Sequence, residues 1–151
     1  MRLEKLVGIS LEKITPDAVA IKRLLSAAKR NLADAEVEAV SDENRFDAGY
    51  KAIMQLANAA LQAKGYRTLT SKPGHHMTMI QSLGQSIGLD TRTIIVLDAL
   101  RKQRHVADYS GDFVPLSAVV ECLTEAKELE RKVLLWLREQ KVIILDDEDL
   151  R

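Results

Sequence analysis

TRTIIVLDALRKQRHVADY, residues 91–109, is the stretch whose reading decides the fold. At about 100° per residue, Asp98, Arg101, Arg104, His105, Asp108 and Tyr109 share a helical arc of roughly 140°. Val96, Leu100 and Ala107 take much of the remainder. A helix divided in this way is either a core helix with a solvated face or a helix that presents a site. The spacing makes it a helix in both cases, and the segments around it repeat the pattern.

The chain has 151 residues, 46% of them hydrophobic and 29% charged, with 7 Gly and 3 Pro. That suits one domain with a real core and excludes a disordered or fibrous chain. Ala and Leu dominate the apolar set and aromatic residues are few, which favours helix over sheet. The single Cys122 leaves no internal disulfide, no N-terminal stretch reads as a signal peptide, and no apolar run approaches the ~20 residues that span a bilayer. A reducing cytoplasm without membrane contact is the expectation. Lys+Arg and Asp+Glu balance at 22 each, so the whole chain is not an obvious polyanion binder. The balance hides an acidic end, DDED at 146–149, behind a faintly basic body.

Residues 1–14 are expected to form a short helical arm. Thr15-Pro16-Asp17 reads as a helix start with Thr15 as N-cap, and the helix runs to about Ala35 on a stripe of Ile21, Leu25, Ala28 and Leu32. Lys22, Arg23, Lys29 and Arg30 lie off that stripe, and a solvated basic face outweighs a binding patch. Ser41 opens a second helix that stops at Gly65, with Phe46, Tyr50, Ile53, Ala57, Ala60 and Leu61 as its stripe and alanines for close packing. Asn58 borders that stripe and needs a partner if buried. Residues 66–76 have loop composition, and Lys72-Pro73-Gly74 is a turn signal. His75 and His76 start a helix over 75–87, ended by Gly88, with Ile80, Leu83 and Ile87 inward. A helix N-terminus disfavours the imidazolium, and neutral imidazole suits proton transfer. The plainer alternative is an exposed pair in a turn. A metal site is disfavoured because no spaced Cys or His accompanies the pair.

Asp90 or Thr91 caps the opening helix, and Tyr109-Ser110-Gly111-Asp112 breaks it. Pro115-Leu116-Ser117 starts the last helix, with Val119, Leu123, Ala126, Leu129, Val133, Trp136 and Leu137 inward. Glu125, Lys127, Glu128, Glu130, Arg131 and Lys132 fill its outer face. VIIL and a frayed DDEDLR complete the chain. Five main helices with short connections predict an all-α, up-and-down helical bundle. It divides into an arm at 1–14, the bundle at 15–140 and an acidic tail at 141–151. There is no internal repeat, Gly-rich phosphate loop, Cys-x-x-Cys pair, GxSxG elbow or HExxH motif.

The segment Leu100-Arg101-Lys102-Gln103-Arg104-His105-Val106-Ala107-Asp108-Tyr109 resembles the signature helix of the HEPN superfamily, the higher eukaryotes and prokaryotes nucleotide-binding domains. The likeness extends more loosely from about Thr15 to Ala126, through Ala63-Lys64-Gly65-Tyr66-Arg67 and Gly74-His75-His76. The resemblance implies a small, HEPN-like all-α bundle, commonly dimeric, often encoded with a nucleotidyltransferase or antitoxin partner. It also implies metal-independent RNA cleavage or nucleotide binding of the toxin–antitoxin or defence kind, without cofactor. Arg104 matches the motif arginine and His105 the polar residue after it. Tyr109, preceded by Asp108, stands where the family's second His is usual, which is a departure from the pattern.

Cleavage by a ribose 2′-hydroxyl needs a base, an acid and cationic charge on the phosphorane. Arg104 and Arg101 supply charge with bidentate geometry. Tyr109, with a reference pKa near 10, is a poor base, so His105 and the His75/His76 pair are the candidate proton carriers. The catalytic candidates are thus Arg104, His105, Asp108 and Tyr109, and the substrate-binding candidates Arg101, His75 and His76. The plain alternative is an intrahelical ion network of Arg101 with Asp98 and His105, and Arg104 with Asp108, contributing a few tenths of a kcal/mol per pair. Three readings stand: an RNA-processing enzyme, a non-catalytic phosphate- or partner-binding module, and a structural dimerisation module. Geometry separates them: His75 or His76 within about one side-chain length of Arg104, in a cleft or across a dimer interface, favours the active site, and histidines that point to bulk solvent favour the other readings.

Overall fold

The computed structural model describes residues 2–140 together with Leu145 and Asp149. Its helices are α1 (Ala18–Ala35), α2 (Asp42–Ala63), α3 (His75–Gln81), α4 (Leu83–Ser86), α5 (Thr91–Ser110) and α6 (Leu116–Gln140), joined by the short strands β1 (Leu11–Lys13) and β2 (Tyr66–Thr68). The architecture is an all-α helical bundle, as the periodicity predicts. Helix α2 is central: α1 and α6 pack along it, and the α3–α5 group covers another of its sides. It buries Phe46, Tyr50, Ile53 and Leu61 among the alanines at 52, 57, 59, 60 and 63. Such small residues let neighbouring backbones close in. At Gly49 the approach is tightest, since a Cβ there would stand 3.0 Å from Cys122 Sγ of α6.

Helix ends follow the expected chemistry with one shift. Ser41 caps α2 and Asp90 caps α5 through side-chain acceptors, and Gly65 and Gly111 leave α2 and α5 in the left-handed region. The cap of α1 is Asp17 rather than Thr15, its Oδ1 accepting from Val19 N at 2.9 Å. Pro16 disfavours helical torsions at Thr15 and so moves the start two residues on.

Four further expectations need correction. The arm is not a helix: residues 3–6 form a single 3-10 turn and β1 pairs antiparallel with β2, Leu11 opposite Thr68 and Lys13 opposite Tyr66. Leu11 is fully buried, so an extended strand is what lets this arm fill the core. The stretch 66–76 is accordingly part strand. The helix expected over 75–87 breaks at Ser82, whose buried hydroxyl donates to Met79 O at 2.7 Å, a local bond that competes with the helical ladder. Glu130 does not join the solvated face of α6, because among the described residues its buried Oε2 has no hydrogen-bond partner, and burial raises its carboxyl pKa.

VIIL and DDEDLR fall outside the described residues except for Leu145, which packs on the core, and Asp149. Asp149 carries an ion pair with Lys22 at 3.3 Å and accepts from Lys29 through its carbonyl. Those two lysines of α1 are therefore engaged. Among the described residues no helix is long and apolar enough to cross a membrane.

Leu11→Ala is expected to lower unfolding stability by about 2–5 kcal/mol, the range for a buried leucine truncated to a cavity. Denaturant unfolding checks this, and a loss below about 1 kcal/mol would show the arm to be dispensable.

Candidate functional site

Helix α5 is anchored by few residues. Only Leu97 and Leu100 are buried along its length, and its side facing α2 and α3 is polar. There a cavity of about 190 Å³ is lined by Tyr50, His75, His76, Arg101, Arg104, His105 and Asp108, with Gly74 and Met77 at its edge. The chain's three histidines thus meet in one place, although His105 lies 29 residues from His76. Of the sequence candidates, Tyr109 alone does not line it. Tyr109 is 82% exposed, because a residue five positions after Arg104 points about 140° away from it around the helix. It instead sets its ring 4.6 Å from that of His105.

Both arginines are held from behind. Arg101 Nε donates to Asp98 at 2.8 Å on the same helix, and Arg104 Nε donates to Asp47 of α2 at 2.8 Å. Among the described residues, no terminal guanidinium nitrogen of either arginine makes a hydrogen bond. Arg104 also lies over the Tyr50 ring, 5.0 Å from its centroid, a cation–π contact that fixes the plane of the group. The intrahelical network expected from sequence forms only in part. Arg101 takes Asp98, but Arg104 turns to Asp47 and leaves Asp108 at 3.9 Å. The exchange follows from packing, since α2 brings a carboxylate closer than the next turn of α5 does.

The histidines differ in setting. His76 is half-buried, its Nδ1 lies 3.2 Å from the Tyr50 hydroxyl, and its ring meets that of His75 at 4.6 Å. Burial, then His75, Arg104 and Arg101, lower its pKa below the ordinary value of 6.5. Burial pushes the Tyr50 phenol up to about 12 against the pull of the two arginines, so the phenol keeps its proton at every relevant pH. The hydrogen bond from Arg101, before any other cause, holds Asp98 below the usual carboxylate range. Among the described residues, no group of three or more His, Cys, Asp or Glu is placed to hold a metal ion.

Sequence reasoning missed two members. Tyr50 reads as core, and it is core by burial, but it also lines the cavity. Asp47 carries no motif. Its signal is positional: a carboxylate one turn before Tyr50 beside an otherwise apolar stripe.

No family model matches the chain, and no curated protein matches it.

A histidine with a lowered folded pKa binds fewer protons than the unfolded chain as pH falls through 6.5. Its contribution to stability is therefore complete above that value and declines on acidification. Unfolding measured from about pH 7.5 to 5 should show a decline that His76→Gln makes shallower. Parallel curves for the two proteins would contradict the assignment.

Proposed function

We propose that the cavity binds the phosphodiester of RNA, or a nucleotide phosphate, and that the chain acts as an HEPN-like module of the toxin–antitoxin or defence kind with metal-independent ribonuclease chemistry. One observation carries this reading. Two guanidiniums are tethered through Nε to carboxylates, with their terminal N–H groups left for a ligand, and all three histidines share their cavity. Terminal N–H pairs in a fixed plane match the oxygens of a phosphate and stabilise the extra charge of a phosphorane. Histidine beside them supplies proton transfer near neutral pH. The resemblance of residues 100–109 to the HEPN signature points the same way, with another histidine of the cavity in place of the group absent at Tyr109.

The carboxylates of Asp47, Asp98 and Asp108 offset the arginines locally, so directed donors rather than bulk charge account for ligand capture. Arg104→Ala should weaken binding of a short single-stranded RNA by about tenfold or more, the scale of a charged hydrogen bond, and should abolish any cleavage. Fluorescence anisotropy and gel analysis check both. Unchanged affinity in Arg104→Ala, with varied RNAs left intact by the parent protein, overturns the proposal.

A second reading, of a dimerisation module or one that holds a nucleotidyltransferase or antitoxin partner, draws on another face. Ile95, Val106, Tyr109, Phe113, Leu116 and Val120 are all exposed large apolar residues around α5 and the start of α6. Exposed apolar surface marks association sites where it is contiguous. Sedimentation should show a dimer at micromolar concentration that Val106→Glu dissociates, and a monomeric parent protein contradicts self-association.

A further inference from the structure

We infer that His76 serves the cavity as a fixed neutral hydrogen-bond donor, not as a proton carrier, and that Tyr50 is the positioning residue that sets its tautomer. The ligand side of this inference rests on the phosphate reading above. The tautomer side rests on α2 and α3 alone. Tyr50 is 1% exposed, and among the described residues its hydroxyl has one hydrogen-bond partner, His76 Nδ1 at 3.2 Å. A buried hydroxyl hydrogen left without an acceptor is disfavoured, and native structures rarely contain one. The phenol therefore donates to Nδ1. A ring nitrogen that accepts carries no hydrogen, so neutral His76 holds its hydrogen on Nε2. That N–H lies on the ring edge Tyr50 does not occupy, in a side chain that lines the cavity.

The groups around the ring keep it neutral. His75 adjoins it on α3, Arg101 and Arg104 face it from α5, and Tyr50 covers it from α2. A second ring proton must go to Nδ1, where it displaces the tyrosine hydrogen and adds a third cation beside two guanidiniums. The lowered pKa of His76 agrees with this. The consequence is a cavity whose inner wall offers donors: Nε2–H of His76 and the terminal N–H groups of Arg101 and Arg104. Such a wall suits a non-bridging phosphate oxygen. Proton transfer then falls to His75 and His105, which also line the cavity without sharing the tyrosine bond.

The test uses the full chain, nitrogen-15 labelled, with inorganic phosphate as the probe. Multiple-bond proton–nitrogen NMR should read His76 as the Nε2–H form at neutral pH. In Tyr50→Phe, which keeps the ring packing, the tautomers should mix. Phosphate should shift the Nε2–H signal of the parent protein. His76→Gln, which offers an N–H near that position but does not titrate, should hold phosphate affinity within about threefold, whereas His76→Ala loses about tenfold, the range of one charged hydrogen bond.

An Nδ1–H tautomer, a tautomer indifferent to Tyr50→Phe, or a Gln variant as weak as the Ala variant overturns the inference. In those cases a phosphate response at the arginines leaves the binding reading standing. An Nε2–H form with no cavity signal responding to phosphate overturns both.

Discussion

Helix α2 is enclosed on nearly every side, and that constraint shapes the rest of the molecule. An enclosed helix admits few large side chains, which accounts for its alanines and for Gly49 beneath Cys122. The same enclosure gives high value to any polar group it does carry. Asp47 and Tyr50 sit one turn apart at the edge of the packed surface, and each reaches a group of the cavity. Asp47 fixes Arg104 by its Nε, and Tyr50 fixes His76 by its Nδ1 while its ring lies under the Arg104 guanidinium. The best-packed helix therefore holds the functional groups of two less well-packed ones.

That division of labour explains how the second half of α5 can turn polar groups toward the protein. Leu97 and Leu100 anchor it in the first half, and beyond them the contact with α2 is made by the Asp47–Arg104 pair. Both partners of this pair are partly exposed, so its direct contribution to stability is about 1 kcal/mol or less. Its larger effect is geometric. A guanidinium tethered through Nε has fewer orientations to lose when an anion binds, and preorganisation of this kind raises affinity without adding a contact.

Much of the fold is legible in the sequence because helix periodicity and capping act locally. The stripes of α1, α2 and α6, the caps at Ser41 and Asp90, and the stop at Gly65 all come from residues within a few positions of one another. The β1–β2 pair is not legible, since Leu11 and Thr68 are far apart in the chain, with α1 and α2 between them. Its signal, a single buried leucine among charged neighbours, is too short for a period to show. The site divides in the same way. Arg101, Arg104, His105 and Asp108 share one helical face and can be placed from spacing, whereas the arrival of His75, His76, Tyr50 and Asp47 depends on tertiary packing. Tyr109 follows Arg104 by five positions yet does not line the cavity, because five residues of helix do not return to the same side.

Arg101 and Arg104 are anchored at one end by Nε and available at the other, and ligand binding in the cavity depends on that. Arginine side-chain NMR during titration with a short single-stranded RNA measures this directly. The expected result is that the terminal N–H signals of both residues shift and sharpen in step with binding, while the Nε–H signals keep the marks of their bonds to Asp98 and Asp47. Terminal signals that stay still while other parts of the surface respond would contradict the account, as would Nε–H signals that lose their carboxylate bonds.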